Sequence, residues 1–208
     1  TKSGKSPWVK AKPGTVSTFY ADTGDGYVYS NSTSYASTRS GSNLSASTDV
    51  FAREARWAKS GSDYYIFEGF FRFDTSAIGV SEEITSAELA LHGTGISIQN
   101  ADGWTNILAR LYDYGAGLDT GDYRATDGTS SGDTLLASLP RTSWSTSAYN
   151  TFSSESEFAS SVTKGGWTGL YVLIQEAEAA TAPTGTNQVV WYSADESGTS
   201  RDPKLVVT

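Results

Sequence analysis

The chain contains no cysteine, no methionine and only one histidine among its 208 residues. Without cysteine it can form no disulfide, no thiolate zinc site, no cysteine nucleophile and no iron–sulfur cluster. A single histidine also cannot build a poly-histidine metal site within one chain. The sequence therefore favours a protein that is not an enzyme and that requires no cofactor.

Positive charge is scarce as well, with 15 Lys+Arg against 23 Asp+Glu and a formal net charge of −8. An acidic body argues against binding to nucleic acid, which needs a positive surface. No apolar run approaches the 18 residues of a membrane span, so no membrane insertion is expected. Residues 1–14 lack the apolar centre of a secretory signal, as expected of a protein made without export or of a processed chain.

The basic residues are concentrated at the start of the chain. Residues 1–14 carry Lys2, Lys5, Lys10 and Lys12 and no acidic residue, and Trp8 lies among them. Without these four lysines the chain has 11 basic and 23 acidic residues, a charge of −12. A basic segment with one large apolar side chain predicts an N-terminal docking arm; a loose, solvated terminus is the alternative.

What the chain has in abundance is glycine (21 residues), serine and threonine, which separate short runs of β-forming residues. Such a pattern, without a long helical period, predicts an all-β fold: one jelly-roll-like antiparallel β-sandwich over residues 15–208. Residues 155–162 are the only predicted helical turn, and residues 30–48 are predicted to be a long surface loop. The ten predicted strands are 15–20, 26–30, 50–59, 64–74, 84–92, 105–114, 134–138, 169–175, 188–194 and 204–207.

The clearest predicted strand is residues 64–74. Period-two alternation places Tyr65, Phe67, Phe71 and Phe73 on one face, which is expected to be core. The opposite face, with Ile66, Glu68, Phe70 and Arg72, is expected to be half exposed. Arg72 and Asp74 are expected to brace the sandwich rather than act on a substrate.

The order of several motifs resembles the DNRLRE-type β-sandwich modules, over about residues 15–207. The motifs are Ala21-Asp22 with Gly26-Tyr-Val28, Phe71-Arg-Phe-Asp74 with Ser76, Ile84-Thr-Ser-Ala-Glu-Leu89, and Asp202-Pro-Lys-Leu-Val-Val207. The chain departs from the family where Ser193-Ala-Asp-Glu196 replaces Ser-Arg-Glu, and residues 31–63 are longer than expected. The resemblance implies a jelly-roll scaffold of the kind found in secreted bacterial proteins and bacteriophage structural proteins.

The phage members of that family are the most similar. They resemble the chain in the Tyr27-Val-Tyr29 opening, in Trp144-Ser-Thr-Ser-Ala-Tyr149 and in Ala182-Pro-Thr-Gly185. This likeness implies a virion-associated protein. Because a fold of this kind hosts many functions, the resemblance implies a scaffold more than an activity.

Calcium is the only ion that the residue types favour, since it takes carboxylate and carbonyl oxygens from flexible loops. Residues 113–133 hold five aspartates among five glycines, and the candidate ligands there are Asp113, Asp119 and Asp122. Their spacing does not match an EF-hand. The alternative is that Asp and Gly are turn residues between strands.

Aromatic residues make up 12% of the chain, enough to provide a sugar-binding platform. Sandwich cores also use aromatic residues, so abundance alone does not locate a site. The candidates lie at predicted strand ends or in polar surroundings and are Trp57, Trp104, Tyr112, Tyr114 and Trp144. His92 is expected on the solvent side of its strand and lacks the partners of a catalytic site.

Two functions remain open. The first is a structural surface-display protein, such as a virion decoration, fibre or tail module, present in many copies and bound to an assembly protein at the virion surface. The second is an extracellular carbohydrate-binding module that recognises a polysaccharide or a host glycan. The first function is favoured because of the basic arm and because of the resemblance to phage members.

Overall fold

The computed structural model describes residues 15–48, 52–124, 126, 133–195 and 197–208. It is an all-β, sandwich-like structure, as predicted. Among the described residues no helix is both long and apolar enough to cross a membrane. The strands are β1 (Ser17–Tyr20), β2 (Gly26–Ser32), β3 (Ser45–Ser47), β4 (Ala52–Ser60), β5 (Asp63–Asp74), β6 (Ala87–Ser97), β7 (Asn106–Leu111), β8 (Leu135–Pro140), β9 (Tyr149–Thr151), β10 (Ser153–Ser154), β11 (Trp167–Ile174), β12 (Thr186–Tyr192) and β13 (Lys204–Val207).

All ten predicted strands are present, with shifted ends. The three short strands β3, β9 and β10 were not predicted, because runs of two or three residues carry no readable alternation. The predicted helical turn contains helix α2 (Phe158–Ser161). Strand existence is therefore confirmed, while the ends differ by up to five residues.

Strand β6 connects the two parts of the sandwich. Its first half pairs with β13, which in turn pairs with β1, and its second half pairs with β12. From β12 the sheet continues through β4, β5, β11, β7 and β8 to β10, and every pairing is antiparallel. A sheet that shares one strand in this way can fold its two parts over a common core.

The middle of strand β5, residues 66–71, is buried on both faces, which corrects the prediction of a half-exposed second face. Tyr65 is half buried, so the prediction that it belongs to the core was wrong. Phe71 and Phe73 are buried as predicted, but Ile66, Glu68 and Phe70 are also fully buried. The second face is covered because the segment after β7 packs on it: the Arg124 N–H donates to Glu68 at 2.8 Å. That segment is about 50 residues away in sequence, so alternation within β5 could not reveal it.

The predicted surface loop at residues 30–48 is in fact ordered, and this prediction was wrong. It contains the end of β2, helix α1 (Tyr35–Arg39) and β3. The Ser34 side chain caps the helix by accepting from the N–H of Ser37, and Tyr35 is buried beneath it. The Tyr35 hydroxyl accepts from Trp57 Nε1 at 2.8 Å, so a short helix that looks like a loop in sequence completes the core.

Candidate functional site

Four of the five predicted glycan-binding residues are buried. Trp57 and Trp104 are 1% and 0% exposed, and Trp144 and Tyr114 are each 8% exposed. Two of them form hydrogen bonds within the protein. Trp144 Nε1 donates to the Gly95 carbonyl at 3.0 Å, and the Tyr114 hydroxyl donates to the Gly24 carbonyl at 3.0 Å. Because a buried ring presents no face to a sugar, these four residues do not form a platform, and the reason for selecting them was wrong.

Tyr112, the fifth candidate, is half buried and lies in a polar network. Its hydroxyl donates to Asp122 Oδ1 at 2.9 Å, and the Arg124 guanidinium lies 4.3 Å from the centre of its ring. One face of the ring is therefore covered by a cation. Tyr112 holds the segment after β7 in place instead of presenting a free face.

The three candidate calcium ligands have protein partners. Asp113 Oδ1 lies 3.0 Å from Arg72 Nε. Asp119 and Asp122 form a reciprocal capping box at a short 3₁₀ turn, residues 120–122, with Asp122 Oδ2 accepting from the Asp119 N–H at 2.8 Å. No group of three His, Asp or Glu side chains able to hold a metal ion occurs in the described residues. Asp127 lies outside them, so calcium binding stays a prediction.

Two other predictions concern Arg72 and the N-terminal arm. Arg72 pairs with Asp113 and stacks over Trp167 at 4.5 Å, while Asp74 is exposed and accepts from the Ser76 N–H. Arg72 therefore braces the sandwich through Asp113 and not through Asp74. The docking-arm residues Lys2, Lys5, Trp8, Lys10 and Lys12 lie outside the described residues.

Three half-exposed tyrosine rings surround a buried phenylalanine ring on β2 and β5, in a cluster that is absent from the predicted site. It is called the aromatic face here and consists of Tyr27, Tyr29, Tyr65 and Phe67. The rings of Tyr29 and Phe67 stack at 4.5 Å with planes 12° apart, and the rings of Tyr27 and Tyr65 lie 5.3 Å and 6.5 Å from that of Phe67. The tyrosine hydroxyls donate to none of the described residues.

Polar groups continue the aromatic face across the neighbouring strands. Directly opposite residues share a face of an antiparallel sheet, and Tyr29, Phe67, Arg56 and Gln188 are opposite one another in turn. Arg56 lies 4.9 Å over the Phe67 ring, donates to Gln188 Oε1 at 2.9 Å and pairs with Glu54 at 3.0 Å. Rings, an amide and a charged pair thus line one continuous surface.

The alternation of residues within β2 points to this surface, whereas the amino-acid composition alone does not. Within β2, the half-exposed Tyr27 and Tyr29 alternate with the buried Val28 and Ser30. An aromatic residue that alternates with a small or aliphatic one is compatible with either side of a sheet. Only the burial of Val28 in the core shows that the tyrosines point outward.

A buried ion-pair network lies at the start of β2 and β4. Arg53 is fully buried; its Nη2 lies 2.9 Å from Asp195 Oδ2 and 3.6 Å from Asp25 Oδ1. Burial raises the pKa of Asp25 to about 7, although the nearby Arg53 charge opposes that rise. The network joins three separate segments, and its closed position argues for a role in stability.

Glu68, like Asp25, is a fully buried carboxyl. One oxygen accepts from the Arg124 N–H, and the other has no hydrogen-bond partner among the described atoms. Burial raises the pKa of Glu68 well above its usual range. An enclosed carboxyl of this kind contacts no open surface and offers no place for a substrate.

No protein-family model matches the chain, and no curated protein matches it in sequence.

Proposed function

We propose that the protein is a non-catalytic surface-display module, a decoration, fibre or tail-associated component of a virion that docks through residues 1–14. One observation carries the proposal most directly. Strand β1 pairs antiparallel with β13, so that Ser17 lies opposite Val207. Residues 1–14 are therefore followed by β1, the strand at one end of the sheet order, and docking through the arm would hold the sandwich by that strand.

The charge distribution supports docking through the same end. The N-terminal arm is basic, and the rest of the chain carries a charge of −12. A basic segment on an acidic body is attracted to acidic sites on a partner while the body is repelled by them. The resemblance to phage members of the DNRLRE-type modules also supports this proposal. It implies a jelly-roll connectivity, which we include in the proposal.

Removal of residues 1–14 is expected to abolish incorporation into the parent particle while the sandwich stays folded, because the arm lies before β1. Particles assembled without the protein would be mixed with the full or shortened chain, and occupancy would be measured by quantitative electrophoresis. A second variant distinguishes the contribution of the charges from that of the apolar anchor Trp8. In it, four lysines are changed to Ala: Lys2, Lys5, Lys10 and Lys12. Full occupancy by the shortened chain would exclude docking through the arm.

Glycan binding is a second candidate, and the aromatic face is the observation that favours it. Sugar sites combine apolar ring surface with a few polar groups that hold hydroxyls. Tyr27 and Tyr29 supply half-exposed rings, and their hydroxyls have no hydrogen-bond partner among the described residues. Glu54, Arg56 and Gln188 supply donors and acceptors beside them. This combination suits a neutral polysaccharide, because the one positive charge on the face is already paired.

The change Tyr29→Ala or Tyr27→Ala is expected to weaken polysaccharide binding about tenfold, the size of one lost ring contact of about 1.4 kcal/mol. Calorimetric titration against a panel of neutral polysaccharides would measure it. Tyr20→Ala is the matched control, because this tyrosine is 41% exposed and lies on β1, away from the aromatic face. Unchanged affinity in both face variants would exclude the aromatic face as the site.

A further inference from the structure

A second cluster of rings lies on the other part of the sandwich, where β6, β9, β12 and β13 meet. It is called the His92 face here and consists of Tyr20, His92, Tyr149, Tyr192 and Lys204. The His92 ring lies 5.2 Å from that of Tyr149 and 5.5 Å from that of Tyr192. All five side chains are half buried or exposed, and Tyr and His side chains in such a position are typical of protein interfaces.

The His92 face carries cations in an otherwise acidic protein: Lys204, and Arg201, whose guanidinium lies 4.1 Å over the Tyr192 ring. One acidic residue, the exposed Glu88, lies on the same side of β6 as His92. The Lys204 ammonium lies 3.8 Å from the centre of the Tyr149 ring, a contact that holds it in place. Lys204 forms no ion pair with any described residue, so its charge is available to a partner. A positioned cation costs less conformational entropy on binding than a free one.

Exposed apolar groups adjoin the same face. Only four large apolar side chains are strongly exposed among the described residues, and one of them, Tyr20 at 41%, is directly opposite Lys204 in the sheet. A second, Val16 at 63%, precedes β1 and lies four residues along the chain from Tyr20. The rings of the His92 face and the Lys204 ammonium together form a surface suited to an acidic partner with an apolar centre.

The same chain presents such a partner on a different surface. Val80, at 81% the most exposed large apolar residue, projects from the turn between β5 and β6. Glu82 and Glu83 follow it, are exposed, and form no ion pair with a described residue. The turn is held by hydrogen bonds from Glu82 N–H to the Gly79 carbonyl and from Gly165 N–H to the Ile78 carbonyl.

We propose that the His92 face binds the Val80 turn, residues 79–83, of a second copy of this chain. Lys204 would pair with Glu82 or Glu83, and Val80 would pack against Tyr20 and Tyr149. The two surfaces differ, so the contact is heterologous, and it links copies head to tail into a ring or an array. This lateral contact goes beyond docking of the arm and would arrange neighbouring copies on a particle.

The test uses the full-length chain and sedimentation analysis of its self-association. Concentration-dependent association is expected up to about 1 mM protein, the range of a contact worth about 4 kcal/mol, and it is expected to weaken as salt is added. Lys204→Glu and the double change Glu82→Lys with Glu83→Lys are each expected to weaken association about tenfold or more. Lys59→Glu is the matched control, because Lys59 also stacks on a tyrosine, at 5.2 Å from Tyr64, but lies on β4.

Mixing the two defective variants gives the decisive result. The Lys204→Glu chain keeps an intact Val80 turn, and the Glu82→Lys, Glu83→Lys chain keeps an intact His92 face. The native contact can therefore form between them, and at the other contact the two reversed charges attract each other, so the mixture is expected to regain the association that each variant alone has lost. A wild-type monomer at all concentrations, or a mixture that stays monomeric while the wild type associates, would overturn the proposal.

A chain lacking residues 1–14 separates this proposal from docking through the arm. Self-association is expected to persist in that chain, since neither surface includes the arm. If association disappears with the arm, the contact between copies is not the one proposed here. Loss of particle docking with retained self-association would leave both proposals standing.

Discussion

The domain is expected to become less stable as the pH rises from about 4 to about 7, the opposite of ordinary acid denaturation. Asp25 is fully buried, and burial raises its pKa from an unfolded value of 3.8 to about 7. Between those values the native state binds more protons than the unfolded state, so the free energy of unfolding falls with rising pH. Three pH units at about 1.4 kcal/mol each give a loss on the order of 4 kcal/mol.

Glu68 adds to the same trend, because burial also raises its pKa, and its favourable contribution is likewise lost as the pH rises. Urea unfolding at several pH values would measure the slope. The change Asp25→Asn removes the titrating group and is expected to flatten the profile between pH 4 and 7. Glu68→Gln is expected to reduce the remaining dependence of the free energy of unfolding on pH.

Asp22→Asn is the matched control for these variants. Asp22 lies three residues before Asp25 in the same turn but is exposed, so its replacement is expected to leave the slope unchanged. A flat wild-type profile, or an Asp25→Asn profile as steep as that of the wild type, would show that Asp25 is ionised without cost in the folded protein.

The change Gly93→Ala is expected to destabilise the protein by about 3 kcal/mol, the upper end of typical overpacking costs. A methyl group at this position would overlap the Ser145 carbonyl oxygen and would lie 2.8 Å from Asn150 Nδ2 and 3.0 Å from Trp144 Nε1. Asn150 donates to three carbonyls in this region, including that of Leu91, and so has little room to move. The contact between β6 and the 144–150 segment would have to open.

Gly95→Ala, two residues later in the same strand, is the control. A methyl group there would lie 3.5 Å from Val190, an ordinary contact, so the expected change is within about 0.5 kcal/mol. Both substitutions restrict the unfolded chain equally, which leaves the close approach as the difference between them. Urea midpoints that fall equally for the two variants would contradict the packing described around Gly93.

Several features of the protein could be predicted from the sequence because they depend on local physics. Alternation of apolar residues between Gly, Ser and Asp clusters located the ten longer strands and the all-β class. Period two within residues 64–74 also identified Phe71 and Phe73 as core. These inferences succeeded because a strand's two faces and its turn residues are encoded within a few neighbouring positions.

The aromatic candidates show what local residue patterns do not predict. Trp57 and Trp104 looked accessible because their neighbours in sequence are polar, yet both are buried. Tyr27 and Tyr29 looked like ordinary strand residues, yet they form the aromatic face. Alternation states that two residues lie on the same side of a strand, but it does not state what covers that side.

Coverage is decided by segments that are distant in the chain. Helix α1 places Tyr35 over Trp57, and the segment after β7 closes the second face of β5 through Arg124 and Tyr123. Pairing of β1 with β13 sets Lys204 beside Tyr20. The sequence by itself determined which residues form strands, since that depends on neighbouring side chains; only the tertiary structure decided which rings and charges reach the surface, since that depends on contacts between distant segments.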